Sequence, residues 1–176
     1  AHRSALCLDH VIHQSRRGNP IATRRACSRH YRWHCMGFND LFKLMHSITL
    51  TKEQLQKMIA HIDSHAPLEA CGLLAGRDSK VESVLEVTNQ AQSPIRYVMD
   101  PIEQLHALEW IDANGLDLLG IFHSHPTGPE TVSPTDIAQA AYEVVYIILA
   151  PVDNSWQARG FWIEDGAYSE VALQVL

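Results

Sequence analysis

The stretch Leu118-Leu119-Gly120-Ile121-Phe122-His123-Ser124-His125-Pro126, with Ser133-Pro134-Thr135-Asp136 following six residues later, organises the reading of the whole chain. Leu118 to His123 is an apolar run of strand length and reads as a buried strand. Residues two apart in a strand face the same way, so His123 and His125 point into one site and Ser124 points away. Ser133 stands where a helix N-cap belongs and Pro134 where the first helical residue belongs, which puts Asp136 in the first helical turn. Two imidazoles and a carboxylate form a three-ligand set suited to zinc, with the fourth position left for water. Zinc lowers the pKa of such a water towards neutrality and supplies a hydroxide at working pH. A base must still move protons, and the best candidate is Glu69, at the entry to an earlier strand in Glu69-Ala70-Cys71-Gly72. Only the fold can bring it to the histidines. Ser133 is a candidate donor to a developing oxyanion, and its local role as a helix cap is equally well supported.

Outward from this stretch, the pattern predicts an alternation of helices and strands. Thr51-Lys52-Glu53-Gln54 has the form of a capping box, and Leu55, Met58, Ile59 and Ile62 follow as one apolar helical stripe that Pro67 closes. Ala70 to Gly76 reads as a short buried strand, Arg77-Asp78-Ser79-Lys80 as its turn, and Val81 to Asn89 as a second strand. Ile95 to Met99 is expected as a third strand. Asp100-Pro101 opens a helix that Asn114-Gly115 ends. Val144 to Ala150, Trp156 to Glu164 and Tyr168 to Val175 are expected strands, the last two joined at Asp165-Gly166, a hairpin signal. The order α-β-β-β-α-β-α-β-β-β predicts a mixed α/β (α+β) sandwich around one curved sheet flanked by helices. Trp156 and Trp162 fall on one side of their strand and are expected in the core. His61, His65 and His106 lack partners at ligand spacing and are expected on the solvent side. Cys71 is expected as a core thiol.

Composition bounds the remaining possibilities. The 176 residues are 46% hydrophobic and 19% charged, enough for one domain with a sizeable core. The longest apolar run, Val144 to Ala150, is too short to cross a bilayer. Residues 1–44 carry eight Lys and Arg against Asp9 and Asp40, whereas residues 45–176 carry six against eighteen acids. The formal net charge of −6 does not suggest a nucleic-acid partner. Four cysteines without regular spacing argue against a disulfide framework and a Cys-rich zinc module, leaving a soluble, cytoplasmic globular domain as the expectation. The basic leader, residues 1–44, has three readings: an interaction tail, a targeting segment, or an extension upstream of a native start at Met45. The third is favoured, because composition breaks at Met45 and every expected element follows it. On that reading 1–44 is disordered or not native, and 45–176 is the functional domain.

A bare His-x-His is weak evidence. Metallo-β-lactamase-type sites continue it with x-Asp-His, whereas here Pro126, Thr127 and Gly128 follow. The large barrel hydrolases that use His-x-His need a longer chain. A zinc deaminase would need His-x-Glu and Pro-Cys-x-x-Cys, which are absent. The full pattern is more specific. Glu69, a long gap, His123-Ser124-His125-Pro126, six residues, Ser133, two residues and Asp136 resembles the JAMM (MPN+) metalloprotease motif at every position. Glu69 to Gly76, Ser93-Pro94-Ile95-Arg96-Tyr97 and Asp165-Gly166-Ala167 also look like the corresponding segments of the short prokaryotic members. The resemblance covers about residues 47–176.

The resemblance implies a JAMM/MPN fold similar to that of cytidine deaminase, with one zinc per chain held by His123, His125 and Asp136. It implies that Glu69 is the general base and that Ser133 helps hold the tetrahedral intermediate. The substrate it implies is an amide or isopeptide bond after the C-terminal tail of a ubiquitin-like, β-grasp protein, among them sulfur carriers. Ser93 to Tyr97 either helps form a groove for that tail or is a connecting loop with one buried aromatic. Two rival functions stand beside this one: a non-catalytic MPN-type scaffold binding ubiquitin-like partners, and a zinc hydrolase of small amides.

Overall fold

A computed structural model describes residues 47–176. The expectations for residues 1–44 and for a start at Met45 fall outside the described residues. The elements are β1 (Ser47–Leu50), α1 (Lys52–His65), β2 (Cys71–Arg77), β3 (Lys80–Val87), α2 (Pro101–Ala113), β4 (Asp117–Ser124), α3 (Pro134–Gln139), β5 (Val145–Val152), β6 (Ser155–Glu164) and β7 (Ala167–Val175). The strands lie in the order β1-β3-β2-β4-β5-β6-β7, and β1 pairs with both β3 and β7 to close a barrel.

Local signals account for most of these elements. Thr51 Oγ1 accepts from the Gln54 N–H, and the Gln54 side chain accepts from the Thr51 N–H, so α1 starts on a complete capping box. The residue before a proline is biased towards extended backbone, and α1 stops at His65 with Ala66 extended ahead of Pro67. Asp78 and Ser79, both at positive φ, turn β2 into β3, and Asp165 and Gly166 do the same between β6 and β7. Asp100 Oδ1 caps α2 by accepting from the Ile102 and Glu103 N–H groups, with Pro101 in the first turn.

Both faces of the central strands are buried. Leu74, Phe122, Ile147 and Leu149 join Ile48, Leu50, Met58 and Ile62 on the face that carries α1. Leu73, Ile121, Ile148 and Phe161 pack on the other face with Ile111 and the partly buried Ala107 and Leu108 of α2. Each such side chain contributes about 1.5–3 kcal/mol on burial. Trp156 and Trp162 pack against the first cluster, in keeping with the core role expected of them.

Topology places the site. Strand β2 runs antiparallel to both of its neighbours, β3 and β4, but β4 and β5 are parallel, and a parallel pair needs a crossover. The crossover here is the segment from His125 through α3, so Ser133 and Asp136 return to the end of β4 where His123 and His125 stand.

Two expectations need correction. Ile95 to Met99 is not a strand: its contact with the sheet is one bridge between Asn89 and Met99, and the Asn89 side chain turns the segment into a loop. Strand β1 was not anticipated. It has four residues, with Ile48 and Leu50 buried, and becomes a strand only because β7 and β3 provide partners distant in sequence. Among the described residues no helix is long and apolar enough to cross a membrane.

Candidate metal centre

His123 lies near the end of β4 between Cys71 of β2 and Ile148 of β5, with no exposed surface. Its neighbour in the ladder, Phe122, sits opposite Gly72, where a Cβ would overlap both the Phe122 ring and the Leu85 carbonyl. Glycine at that position leaves the space that the Phe122 ring occupies. His125 is just past the strand, and its N–H still extends the ladder to the Leu149 carbonyl at 2.8 Å. Ser124 points away from the histidines, and its Oγ accepts from the Ala70 N–H at 2.9 Å while its own N–H donates to the Ala70 carbonyl. The middle residue of His-Ser-His therefore fastens β4 to the residue that follows Glu69. This link holds Glu69 at the end of β4, where its carboxyl interacts electrostatically with His125 and Asp136.

Three ligand-type side chains converge here. His123 Nε2 and His125 Nε2 are 3.0 Å apart, and the Asp136 carboxylate oxygens lie 3.3 and 3.4 Å from them. One donor atom from each residue fits within a sphere of mutual distances below 4.8 Å. Asp136 is the third residue of α3, where its Oδ2 also accepts from the Ser133 N–H at 2.7 Å and its own N–H donates to Ser133 Oγ at 3.1 Å. All three side chains are buried.

The donor chemistry fits a metal ion. A carbonyl cannot donate, so His125 Nδ1 must carry the proton it gives to the Pro129 carbonyl at 2.8 Å, which leaves Nε2 of the neutral ring with its lone pair facing the cluster. Gly128, at φ +68°, makes the turn that returns Pro129 to the ring. His123 Nδ1 is buried with no protein partner, an unusual state for an interior polar atom. Two ring nitrogens and a carboxylate crowded together in the interior are a poor arrangement by themselves and a good one around a cation.

Charge tuning is strong. Burial alone would raise the pKa of Asp136, but hydrogen bonds from His123, His125 and Ser133 hold it far below the usual carboxylate range. Burial pushes the His123 pKa down, against the pull of Asp136. Burial also works against a charged His125, yet Asp136, the Pro129 carbonyl and Glu69 outweigh it and raise its pKa. Glu69 is 4% exposed. Burial drives its pKa up to about 7, with His125 opposing and Asp136 adding to the rise. A carboxyl poised near neutrality can both take a proton and return it.

The fold thus gathers His123, His125 and Asp136 and brings Glu69 within electrostatic reach of two of them. Ser133 stands at the edge as the α3 cap. Three neighbours escaped the sequence reading of the site: Ser124, the clamp; Tyr97, whose ring stacks on His123 at 4.5 Å; and Asn89, which bonds the Glu69 carbonyl. Only Tyr97 had a signal, as the single aromatic of Ser93 to Tyr97. His61 corrects another expectation: it is buried rather than on the solvent side, with Nε2 3.1 Å from the Cys71 carbonyl and Nδ1 3.6 Å from Glu86. His65 and His106 are exposed, as expected. Cys71 is a core thiol whose pKa burial pushes up to about 12.

Comparison with known proteins places the chain in a family. The family model for prokaryotic homologs of the JAB domain matches residues 51–159. The chain is 42% identical over 123 residues to a probable TtuB-protein conjugate cleaving protease of Thermus thermophilus, covering 69% of this chain and 78% of that one. It is 32% identical over 132 residues to a desampylase of Pyrococcus furiosus, covering 73% and 91%. A solution structure of a protein from Desulfitobacterium hafniense aligns with a TM-score of 0.67 at 38% identity, over 73% of this chain and 92% of that one. The matched span runs from the α1 cap into β6 and contains every residue of the cluster, so the chain belongs to the prokaryotic branch of the JAB-domain family.

Proposed function

We propose that this chain is a zinc-dependent JAMM-type metallopeptidase. Its substrate on this reading is the amide or isopeptide bond after the C-terminal tail of a ubiquitin-like, sulfur-carrier protein. The observation that carries the proposal is the convergence of His123, His125 and Asp136 beside a buried, near-neutral Glu69. The substrate class rests on relatives named for cleaving TtuB-protein conjugates and for desampylation. The acid excess of residues 45–176 speaks against a nucleic-acid partner. We place the reaction in the cytoplasm, a compartment that keeps a thiol such as Cys71 reduced.

His123, His125 and Asp136 would hold the metal. When bound, zinc polarises a carbonyl and makes water a nucleophile near neutral pH. Glu69 takes a proton from the attacking water on its carboxylate and hands it to the leaving amine nitrogen, ending in its starting state. Ser133 Oγ accepts from the Asp136 N–H, so its own proton is free to donate to the oxyanion that develops on the scissile carbonyl. The Pro129 carbonyl holds the His125 ring in one tautomer, and Tyr97 covers one face of His123. The β4–β2 clamp through Ser124 keeps base and ligands in register.

The test pairs metal content with turnover on ubiquitin-like C-terminal fusions. Glu69→Gln should retain one zinc per chain by mass spectrometry and lose turnover by about 10³-fold. His123→Ala or Asp136→Ala should lose the metal itself. A wild-type chain that folds and takes up no zinc would contradict the proposal and favour a binding scaffold.

A further inference from the structure

The loop between β3 and α2 braces the site from a side the metal-binding motif does not include. Asn89, 6% exposed, uses its whole side-chain amide. Nδ2 donates to the Glu69 carbonyl at 2.9 Å and to the Arg96 carbonyl at 3.1 Å. Oδ1 accepts from the N–H groups of Ala91 and Val98, both at 2.9 Å. Two donors and two acceptor positions are all an amide offers, and the partners permit only this orientation, since carbonyls cannot donate and N–H groups cannot accept. Bonds from the Gln90 N–H to the Val98 carbonyl and from the Asp100 N–H to the Thr88 carbonyl close the loop at its base.

This loop grips Glu69 on both sides. The Glu69 N–H donates to the Ser93 carbonyl at 2.9 Å, and the Glu69 carbonyl receives Asn89. From the same loop Tyr97 lays its ring on His123, with centroids 4.5 Å apart and planes 28° from parallel. One side chain thus joins the backbone of the base to the ring seated on a ligand.

We propose that Asn89 is a positioning residue for the hydrolysis, fixing Glu69 and Tyr97 relative to the metal ligands through the loop it holds closed. Other side chains serve poorly in its place. Aspartate would set a carboxylate against the Glu69 and Arg96 carbonyls, glutamine is one methylene too long, and alanine removes all four bonds and leaves the buried Glu69 carbonyl without this partner. The sub-ångström placement of a base matters because a shift of about 1 Å can cost about 100-fold in rate.

The inference rests on the metallopeptidase reading, so one arm of its test needs no turnover. The Tyr97 ring stacked on His123 should shield the His123 ring protons and place their NMR signals upfield of ordinary imidazole positions. In Asn89→Ala these signals should return towards ordinary values while the His61 signals stay in place. In the activity arm, kcat should fall about 100-fold with KM within about twofold of wild type and zinc still at one per chain. Asn114→Ala is the control: it removes a cap on α2, where Nδ2 donates to the Trp110 carbonyl, and should lower the melting temperature without touching kcat. If Asn89→Ala does not fold, Asn89→Ser carries the same two readouts. Unmoved His123 signals, or a kcat no lower than that of Asn114→Ala at a temperature where both are folded, would overturn the proposal. If wild-type protein turns over no fusion at all, the metallopeptidase reading fails, and the NMR arm still decides whether Asn89 seats the loop on His123.

Discussion

Thr51 and Ser133 each accept a hydrogen bond from the N–H three residues on, at 3.3 and 3.1 Å, and in each helix the third residue returns a bond to the cap, at 2.8 Å from Gln54 and 2.7 Å from Asp136. A buried histidine lies near each helix, His61 within α1 and His123 beside α3. Beyond the shared device the surroundings diverge. Gln54 Nε2 donates to the Val81 carbonyl and ties α1 to β3, whereas the Asp136 carboxylate faces two imidazoles. His61 bonds a strand carbonyl, and His123 faces a carboxylate and a second histidine. A capping box therefore starts a helix wherever it occurs, and chemistry enters when its third residue carries a charge at the end of a strand bearing histidines.

Asp136→Asn tests this contrast hardest. The amide oxygen can still accept from the Ser133 N–H, so the cap survives, while the charge is lost. Zinc retention and turnover should fall by about 10³-fold, with little change in the melting temperature of the metal-free protein. Gln54→Glu, the converse change at α1, should leave turnover alone. Stable zinc binding by Asp136→Asn would show that the carboxylate is only a cap.

Removing the cap hydroxyls sharpens the comparison. Thr51→Ala and Ser133→Ala should each cost about 1 kcal/mol in denaturant melts. Only Ser133→Ala should also slow turnover, by about 100-fold, through loss of a donor to the oxyanion. Equal activities would reduce Ser133 to a cap.

The smallest effect belongs to His61. Burial lowers its pKa in the fold from 6.5, although Glu86 pulls the other way. The unfolded chain therefore binds the proton more readily, and the stability that His61 contributes is complete above about pH 6.5 and declines as the pH falls from there towards its lower folded value. His61→Gln keeps a donor for the Cys71 carbonyl and should flatten this part of the stability curve without changing turnover. An unchanged slope would mean that His61 is not held neutral by the fold.

The same contrast explains how much was legible in the sequence. Capping boxes, proline-marked helix starts and Asp-Gly turns act over three or four residues, so α1, α2, α3 and the β6–β7 hairpin followed from the sequence directly. The spacing of His123, His125 and Asp136 was legible because one strand end and one helix start carry all three. What depends on distant partners was not. β1 is too short to announce itself, and barrel closure rests on its pairing with β7 across the length of the domain. The segment Ile95 to Met99 resembled a strand because its loop is set by the side chain of Asn89, six or more residues away. His61 looked solvent-facing because its partners, Cys71 and Glu86, belong to the sheet beneath α1.

The central claim is most directly tested with zinc-loaded full chain and a ubiquitin-like protein fused through its C-terminal tail to a reporter peptide, with products identified by mass spectrometry. The account predicts a single cut directly after the tail, stopped by a chelator, restored by zinc, and absent in Glu69→Gln that retains its metal. Cleavage that ignores the chelator, or a Glu69→Gln variant that cuts at the wild-type rate, would contradict it.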